Sequence, residues 1–211
     1  NSNSPLLEPR IPPLAQRLDQ LGELCRSYDS KSLNWRFDPI CFFKFDKKMV
    51  QNNLKDFSKI ATWASQYGIS RCITSFMDDY AKIKKRVASI PGFSFIDPDL
   101  KEKINILLKM EKELAGKNID LYTCCEKEVA DALPSGSSIR NSSCIPNDLL
   151  VQIFGGDLSF KKDTGQRTQK GCGCMVSKDI GSYHSHPCYH NCLFCYANPT
   201  PKVFDQKLNN T

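Results

Sequence analysis

Apolar residues recur along the first two thirds of the chain at two alternating spacings. Helical spacing, three or four residues apart, runs through IPPLAQRLDQLGELCRSY, residues 47–66, DYAKIKKRV, residues 99–116 and PNDLLVQIFG. Between these segments lie short runs rich in β-branched and aromatic residues, at 33–37, 71–76 and 119–126. The pattern therefore predicts helices alternating with three strands. In the helix predicted over 47–66, the side chains expected on the buried face are Met49, Leu54, Phe57, Ile60, Ala61 and Ala64.

Strands that alternate with helices of this length predict right-handed βα units on a parallel sheet. The fold class expected is α/β, with partial TIM-barrel-like parallel βα units followed by a cysteine-rich, irregular C-terminal segment. Three strands cannot close a barrel, which takes about eight βα units. We therefore expect residues 1–126 to form a partial barrel-like domain that lacks its N-terminal strands. Residues 127–211 are expected to form a cysteine-rich metal- or cluster-binding segment packed on it.

Composition and charge narrow the class of protein. Hydrophobic residues make up 40% of the chain, with no apolar run near the roughly 20 residues that a membrane span needs, and no targeting segment is recognised. A soluble, cytoplasmic protein with no membrane partner is expected. The net charge is +6, and the last 51 residues hold seven basic side chains against three acidic ones. That excess permits a nucleic-acid partner without requiring one.

The eleven cysteines are the main chemical signal. Five of them fall between Cys172 and Cys195, which in a cytosol-like sequence favours metal over disulfides. Cys188, Cys192 and Cys195 form a C-x3-C-x2-C pattern. Three thiolates hold a cubane cluster with one iron left open, whereas tetrahedral zinc takes a fourth ligand. A zinc site completed by His184 or His186 is the alternative at this position.

With Phe194 before its last cysteine, this pattern resembles the signature of radical S-adenosylmethionine enzymes. The chain more specifically resembles the family called domain of unknown function 1848, in NWRFDPI, SFMDDYAK, YTCCE, SCI, KKDTGQRTQKGCGCMVSKDIGSY and CYHNCLFCYAN. The resemblance implies a [4Fe–4S] cluster on the three cysteines and S-adenosylmethionine bound at its open iron beside Phe194. It also implies reductive cleavage of that cofactor to a 5′-deoxyadenosyl radical, an electron donor such as ferredoxin or flavodoxin, and further N-terminal residues absent here.

Four more cysteines lie in segments that match the family. Thiolates from Cys124, Cys144, Cys172 and Cys174 would complete a closed site, either a second [4Fe–4S] cluster or structural zinc. The alternative is that Cys124 or Cys125, together with Cys144, are small buried hydrophobic residues. Cys25, Cys41 and Cys72 lie on apolar faces and are expected in the core.

Charged residues at strand ends are the remaining candidates. Arg36 and Asp38 lie at the C-terminal end of the first strand and Glu126 lies just past the third, at the edge where parallel α/β folds bind ligands. Each is expected either to bind the cofactor or substrate or to form a salt bridge. The substrate is unknown and no side chain is nominated as acid or base. Two further hypotheses remain open: a zinc-stabilised module that binds nucleic acid through its basic, tyrosine-containing tail, and an inactive fragment.

Overall fold

The fold is known from a computed structural model that describes residues 1–46, 48–182, 185–186 and 188–197. The helices are α1 Leu14–Ser27, α2 Phe57–Gln66, α3 Ala81–Val87, α4 Leu100–Ala115, α5 Lys127–Asp131 and α6 Asn147–Phe154. The strands are β1 Trp35–Ile40, β2 Phe42–Phe45, β3 Gln51–Asn52, β4 Arg71–Phe76, β5 Phe93–Ile96, β6 Asp120–Thr123 and β7 Arg140–Asn141. Within the described part of the chain, none of the helices combines the length and apolar character that crossing a bilayer demands.

The main sheet has four parallel strands in the order β1-β4-β6-β7. Three of them are the strands predicted from the sequence, so the parallel α/β architecture is confirmed. The fourth, β7, is only two residues long and comes from the cysteine-rich half of the chain. The sheet is open at both edges in the described residues, and no closed barrel is formed there.

A second, antiparallel sheet of order β3-β2-β5 was not predicted. Its strands β2 and β5 come from FFKF and FSFI, and Phe43 and Phe45 pack against Phe93. Such short strands carry little periodicity, and the sequence around β5, PGFSFIDP, has the composition of a loop. Aromatic pairing across the strands stabilises this small sheet.

The helix predicted over 47–66 is wrong in its first half, since α2 begins at Phe57. The Asn52 side chain accepts a hydrogen bond from the amide of Leu54, and Asn53 accepts one from the amide of Cys41. The Asn52 bond competes with a helical backbone, and the Asn53 bond ties the end of β3 to the residue before β2. Met49, expected on a buried helical face, is 86% exposed.

Alternation along the parallel strands gives the main sheet two different faces. One face is apolar and packs against α1, α2 and α4. Its strand residues are Trp35, Phe37, Cys72, Phe76 and Leu121. The opposite face carries Arg36, Asp38, Ile73, Ser75, Tyr122 and, just past β6, Cys124. This second face is the one that the cysteine-rich segment approaches.

Candidate metal and cofactor site

Polar groups of the second sheet face form a connected cluster at the ends of β1 and β4. Both Nε and Nη2 of Arg36 donate to Asp38 Oδ2, at 3.2 and 2.5 Å, and the Ser75 hydroxyl donates to the other carboxylate oxygen. The remaining guanidinium nitrogen, Nη1, lies 3.2 Å from Cys144 Sγ. The strand-end salt bridge considered from the sequence is therefore present, and it also reaches a cysteine.

Five cysteine side chains adjoin this cluster. Cys124 Sγ lies 3.6 Å from Cys144 Sγ and 3.8 Å from Cys125 Sγ. The thiol of Cys172 interacts with those of Cys125 and Cys174, and the backbone amide of Cys144 donates to Cys174 Sγ at 3.3 Å. We call these five residues the inner cysteine group. Four of them were predicted as ligands, and Cys125 was not.

The inner cysteines differ strongly in acidity. The hydrogen bond from the Cys124 thiol, followed by the charge of Arg36, holds the pKa of Cys144 well below its usual range. The same hydrogen bond together with burial raises the pKa of Cys124, and burial raises the pKa of Cys174 to about 11. Cys144 is consequently more acidic than Cys124 and Cys174, and of these three it is the exposed one and contacts the Arg36 guanidinium.

The segment that carries Cys188, Cys192 and Cys195, here called the outer triad, is tied to the body at several points. Leu193 is 1% exposed, packs with Leu7 and Phe43, and its amide donates to the Leu7 carbonyl at 2.8 Å. Arg86, a buried residue of α3, donates from Nη1 to the Cys192 carbonyl at 2.5 Å. The triad segment is therefore docked rather than extended into solvent.

The outer triad thiols lie close enough to influence one another. Burial, then the negative charges of Glu8, Cys195 and Cys188, raises the pKa of Cys192 to about 12. Cys188 is exposed, and Cys192 and Cys195 are half-buried. In the ranges 1–46, 48–182, 185–186 and 188–197, no three Cys, His, Asp or Glu side chains are placed to hold one ion. His184, a candidate for the zinc alternative, lies outside the described residues.

A cavity of about 270 Å³ lies between the two cysteine groups at the carboxyl edge of β1 and β4. Its lining includes Arg36, Asp38, Ser75, Cys124, Cys144, Arg167, Cys192, Phe194 and Cys195. Cys188, Cys172 and Cys174 do not line it. The cavity thus combines a guanidinium, a carboxylate, an aromatic ring and thiols from both groups.

Glu126 is separate from this cavity. Its carboxylate accepts a hydrogen bond from the Phe76 amide at 2.7 Å and faces a neighbouring surface cleft with Lys103 and Lys170. Burial raises the pKa of Glu126 to about 7, and the Phe76 hydrogen bond acts against that rise. Of the four residues predicted to bind the cofactor, the structure brings Arg36, Asp38 and Phe194 together and leaves Glu126 outside.

Two groups at the site were missed from the sequence. Asp78 pairs with Arg167 at 2.6 Å and with Lys170, and Arg167 also donates to the Tyr80 hydroxyl at 2.7 Å. Asp78 lies just after β4, so the argument that selected charged residues at strand ends would also have selected it. No feature of the sequence distinguishes Arg86, because it is one of four basic residues in a short helix whose composition predicts a solvent-exposed surface.

These features define a class: an α/β protein with an open parallel sheet whose polar face is covered by a cysteine-rich segment. The family model described as Domain of unknown function (DUF1848) matches residues 1–197, and the chain belongs to that family. No curated protein and no solved structure matches the chain.

Proposed function

We propose that the protein is an iron–sulfur enzyme of the radical S-adenosylmethionine type, with Cys188, Cys192 and Cys195 as the ligands of a [4Fe–4S] cluster. The observation that carries the proposal is the cavity shared by Cys192, Cys195 and Phe194 with Arg36 and Asp38. A bound cluster of this kind supplies one electron for the reductive cleavage of S-adenosylmethionine. In this proposal the parallel βα units correspond to part of a barrel, and the cofactor lies at their carboxyl edge.

The donor set fits a cluster with one iron left for the cofactor. Three cysteines within eight residues come from one docked segment, and none of the three is joined to another in a disulfide. Cluster binding requires the thiolates and releases their protons, so a half-buried Cys192 with a raised pKa is protonated until iron arrives. Cys188, the third proposed ligand, is exposed and does not line the cavity.

Each polar group of the cavity has a role suited to a zwitterionic cofactor. The Asp38 carboxylate accepts from Arg36 and Ser75, which fixes its position and leaves it facing the cavity. Arg36 and Arg167 place positive charge where a carboxylate would bind. Phe194 offers an aromatic face to an adenine ring. The substrate class is left open, and the electron donor is a reductant such as ferredoxin or flavodoxin in the cytoplasm.

Anaerobic purification tests the proposal. We expect a brown protein with about four iron and four sulfide at the triad, absorbance that bleaches with dithionite, and release of 5′-deoxyadenosine from S-adenosylmethionine. Cys195→Ala removes this iron, whereas Cys25→Ser, at a half-buried cysteine of α1, retains it. Full iron in Cys195→Ala, or iron-free anaerobic wild-type protein, contradicts the proposal.

A zinc-stabilised nucleic-acid-binding module is the second candidate. The observation that favours it is the exposure of Tyr189 and Tyr196 on a basic segment, since exposed aromatic rings stack on bases. The half-buried Phe194, which lines the cavity, favours the enzyme instead. Colourless protein with zinc at the triad and salt-dependent binding of single-stranded RNA would support the module. Iron with no release of 5′-deoxyadenosine would support the inactive-fragment hypothesis.

A further inference from the structure

The segment from Gly155 to Ser182, which the structure describes throughout, has almost no apolar core. Its large apolar side chains point into solvent, and Ile180 is 98% exposed. The others are Leu158, Phe160 and Val176. Cys172 and Cys174 are its two buried residues. Hydrophobic burial therefore cannot fix this segment, and small segments of this kind are usually ordered by a metal or by disulfides.

The segment nevertheless has a defined fold that brings its cysteines to the sheet. Val176 donates to the Lys161 carbonyl and Asp163 to that of Cys174, each at 2.9 Å, which forms a hairpin-like pair of strands. Met175 donates to the Ile145 carbonyl at 3.1 Å, joining this pair to the loop that contains Cys144. Cys172 and Cys174 are thereby held beside Cys124 and Cys144.

One sulfur separation in the inner group matches the spacing of two ligands on a tetrahedral ion. With Zn–S bonds of about 2.3 Å, neighbouring thiolates around zinc are about 3.8 Å apart. The sulfurs of Cys124 and Cys144 are 3.6 Å apart, and Cys172 and Cys174, whose thiols interact with each other, must turn towards this pair to complete the site. A cubane distributes its cysteines over four irons and so spaces the sulfurs more widely.

Groups around the inner sulfurs are also of the kind that stabilises negatively charged thiolates. The Cys144 amide donates to Cys174 Sγ, and the Arg36 guanidinium contacts Cys144 Sγ. Amide donors and a neighbouring cation offset the charge that four thiolates place on a divalent ion. Cys124 is buried and contacts Cys144, whereas the half-buried Cys125, whose φ is +61°, contacts Cys124 and Cys172. We therefore take the buried Cys124 as the ligand and Cys125 as its neighbour.

We propose that Cys124, Cys144, Cys172 and Cys174 bind a single zinc ion, separate from the outer triad, and that this ion orders residues 155–182 against the sheet. Binding replaces the thiol protons, which pass to solvent, with no change of oxidation state. The proposal goes beyond the proposed function and does not depend on it.

The test uses the full chain with the outer triad removed, as Cys188→Ala/Cys192→Ala/Cys195→Ala. We expect this protein to retain one zinc per chain, with an X-ray absorption spectrum that fits four sulfurs at about 2.3 Å. Adding Cys144→Ser or Cys174→Ser should abolish zinc binding. Cys125→Ser and Cys25→Ser, added in the same way, are the matched controls and should retain the ion.

A second measurement separates metal loss from global unfolding. Removal of zinc by a chelator should increase proteolytic cleavage within 155–182 at least tenfold, while α2 and α4 stay protected. Iron in place of zinc at these cysteines, a Cys124–Cys144 disulfide, or a metal-free triad variant would overturn the proposal. Loss of zinc from Cys125→Ser but not from Cys144→Ser would overturn the ligand assignment. The presence of iron at the triad tests only the proposed function, so the zinc proposal and the proposed function can fail separately.

Discussion

Arg86 shows how one buried charge can organise a distant part of the chain. It is 5% exposed in α3, and its guanidinium donates to the backbone carbonyl of Cys192, more than a hundred residues later. A buried guanidinium needs polar partners, and the Cys192 carbonyl is one that the triad segment supplies. No periodicity argument isolates Arg86 from its neighbours Lys84 and Lys85.

Arg86→Gln is expected to lower the free energy of unfolding by about 1.5–3 kcal/mol, the range for hydrogen bonds made by charged groups. Urea unfolding of the full chain measures the change. The control is Lys85→Gln, an exposed lysine on the same helix, which should change the free energy by less than about 0.5 kcal/mol. Equal effects from the two variants would show that the Cys192 contact contributes nothing.

Glu126 is expected to make the free energy of unfolding depend on pH in a definite direction. Its pKa in the folded chain is raised to about 7, mainly by burial, from an ordinary value of 4.5. The folded chain therefore holds the proton more tightly than the unfolded chain, and this group's contribution to stability falls as pH rises from about 4.5 to 7.

Glu126→Gln is expected to flatten that slope and to be more stable than wild type at pH 8, because the amide oxygen still accepts from Phe76 and no charge is buried. Urea unfolding at pH 5 and pH 8 measures the difference. Glu128→Gln, two residues further on and exposed, is the control. A parallel pH profile in Glu126→Gln and wild type would refute the assignment.

At the scale of elements, two of the three strands that could be predicted, β4 and β6, have several buried residues in succession. Both strands could be recognised in the sequence because central parallel strands are covered on both faces. Their buried runs are Cys72, Ile73 and Thr74 in β4, and Leu121, Tyr122 and Thr123 in β6. The short strands β3 and β7 have exposed side chains and exist through pairing alone. Their formation depends on tertiary contacts that no local pattern encodes.

Gly171 is the turn that lets the cysteine-bearing hairpin approach α5. Its φ is +82°, and a Cβ at this position would lie 3.0 Å from the Lys127 Cβ. Gly171→Ala is therefore expected to destabilise this segment by about 1–3 kcal/mol, since it adds backbone strain to a steric conflict. Proteolysis of residues 155–182 under native conditions measures it.

Gly136→Ala is the control for that experiment. A Cβ at Gly136 would have nothing within 4 Å, and its φ lies outside the left-handed region. Its cleavage rate should match wild type. A Gly171→Ala protein that is cleaved no faster than Gly136→Ala would exclude a role for this turn in docking the hairpin.

At the scale of the whole molecule, the sequence indicated which residues carry chemistry better than it indicated how they meet. Arg36, Asp38 and Phe194 were selected from a strand end and a cysteine motif, and they line one cavity. Cys125 was missed because its contact with Cys172 joins residues 47 positions apart, which no local pattern indicates. The identity of bound metals remains a prediction.

Leu193 tests how the triad segment is held to the body. It is 1% exposed in a cluster with Leu7, Cys41, Phe43 and Phe93. Leu193→Ala is expected to cost about 2–5 kcal/mol of docking free energy, as large-to-small changes in a packed core do. Hydrogen exchange at the amide of Leu193, bonded to the Leu7 carbonyl, measures the loss.

The control is Leu158→Ala, at a half-exposed leucine whose removal should leave that exchange rate unchanged. Protection that survives in Leu193→Ala would mean that the Arg86 contact alone anchors the segment.

The apolar cluster in which Leu193 packs against Leu7 has a consequence for a chain that has been cut by a protease. Residues near the two ends of the described chain share one apolar cluster and a backbone hydrogen bond, and both persist if the peptide bond is cut between them. A protease that cleaves after α6 would therefore yield two polypeptides that migrate together on a sizing column until denaturant separates them.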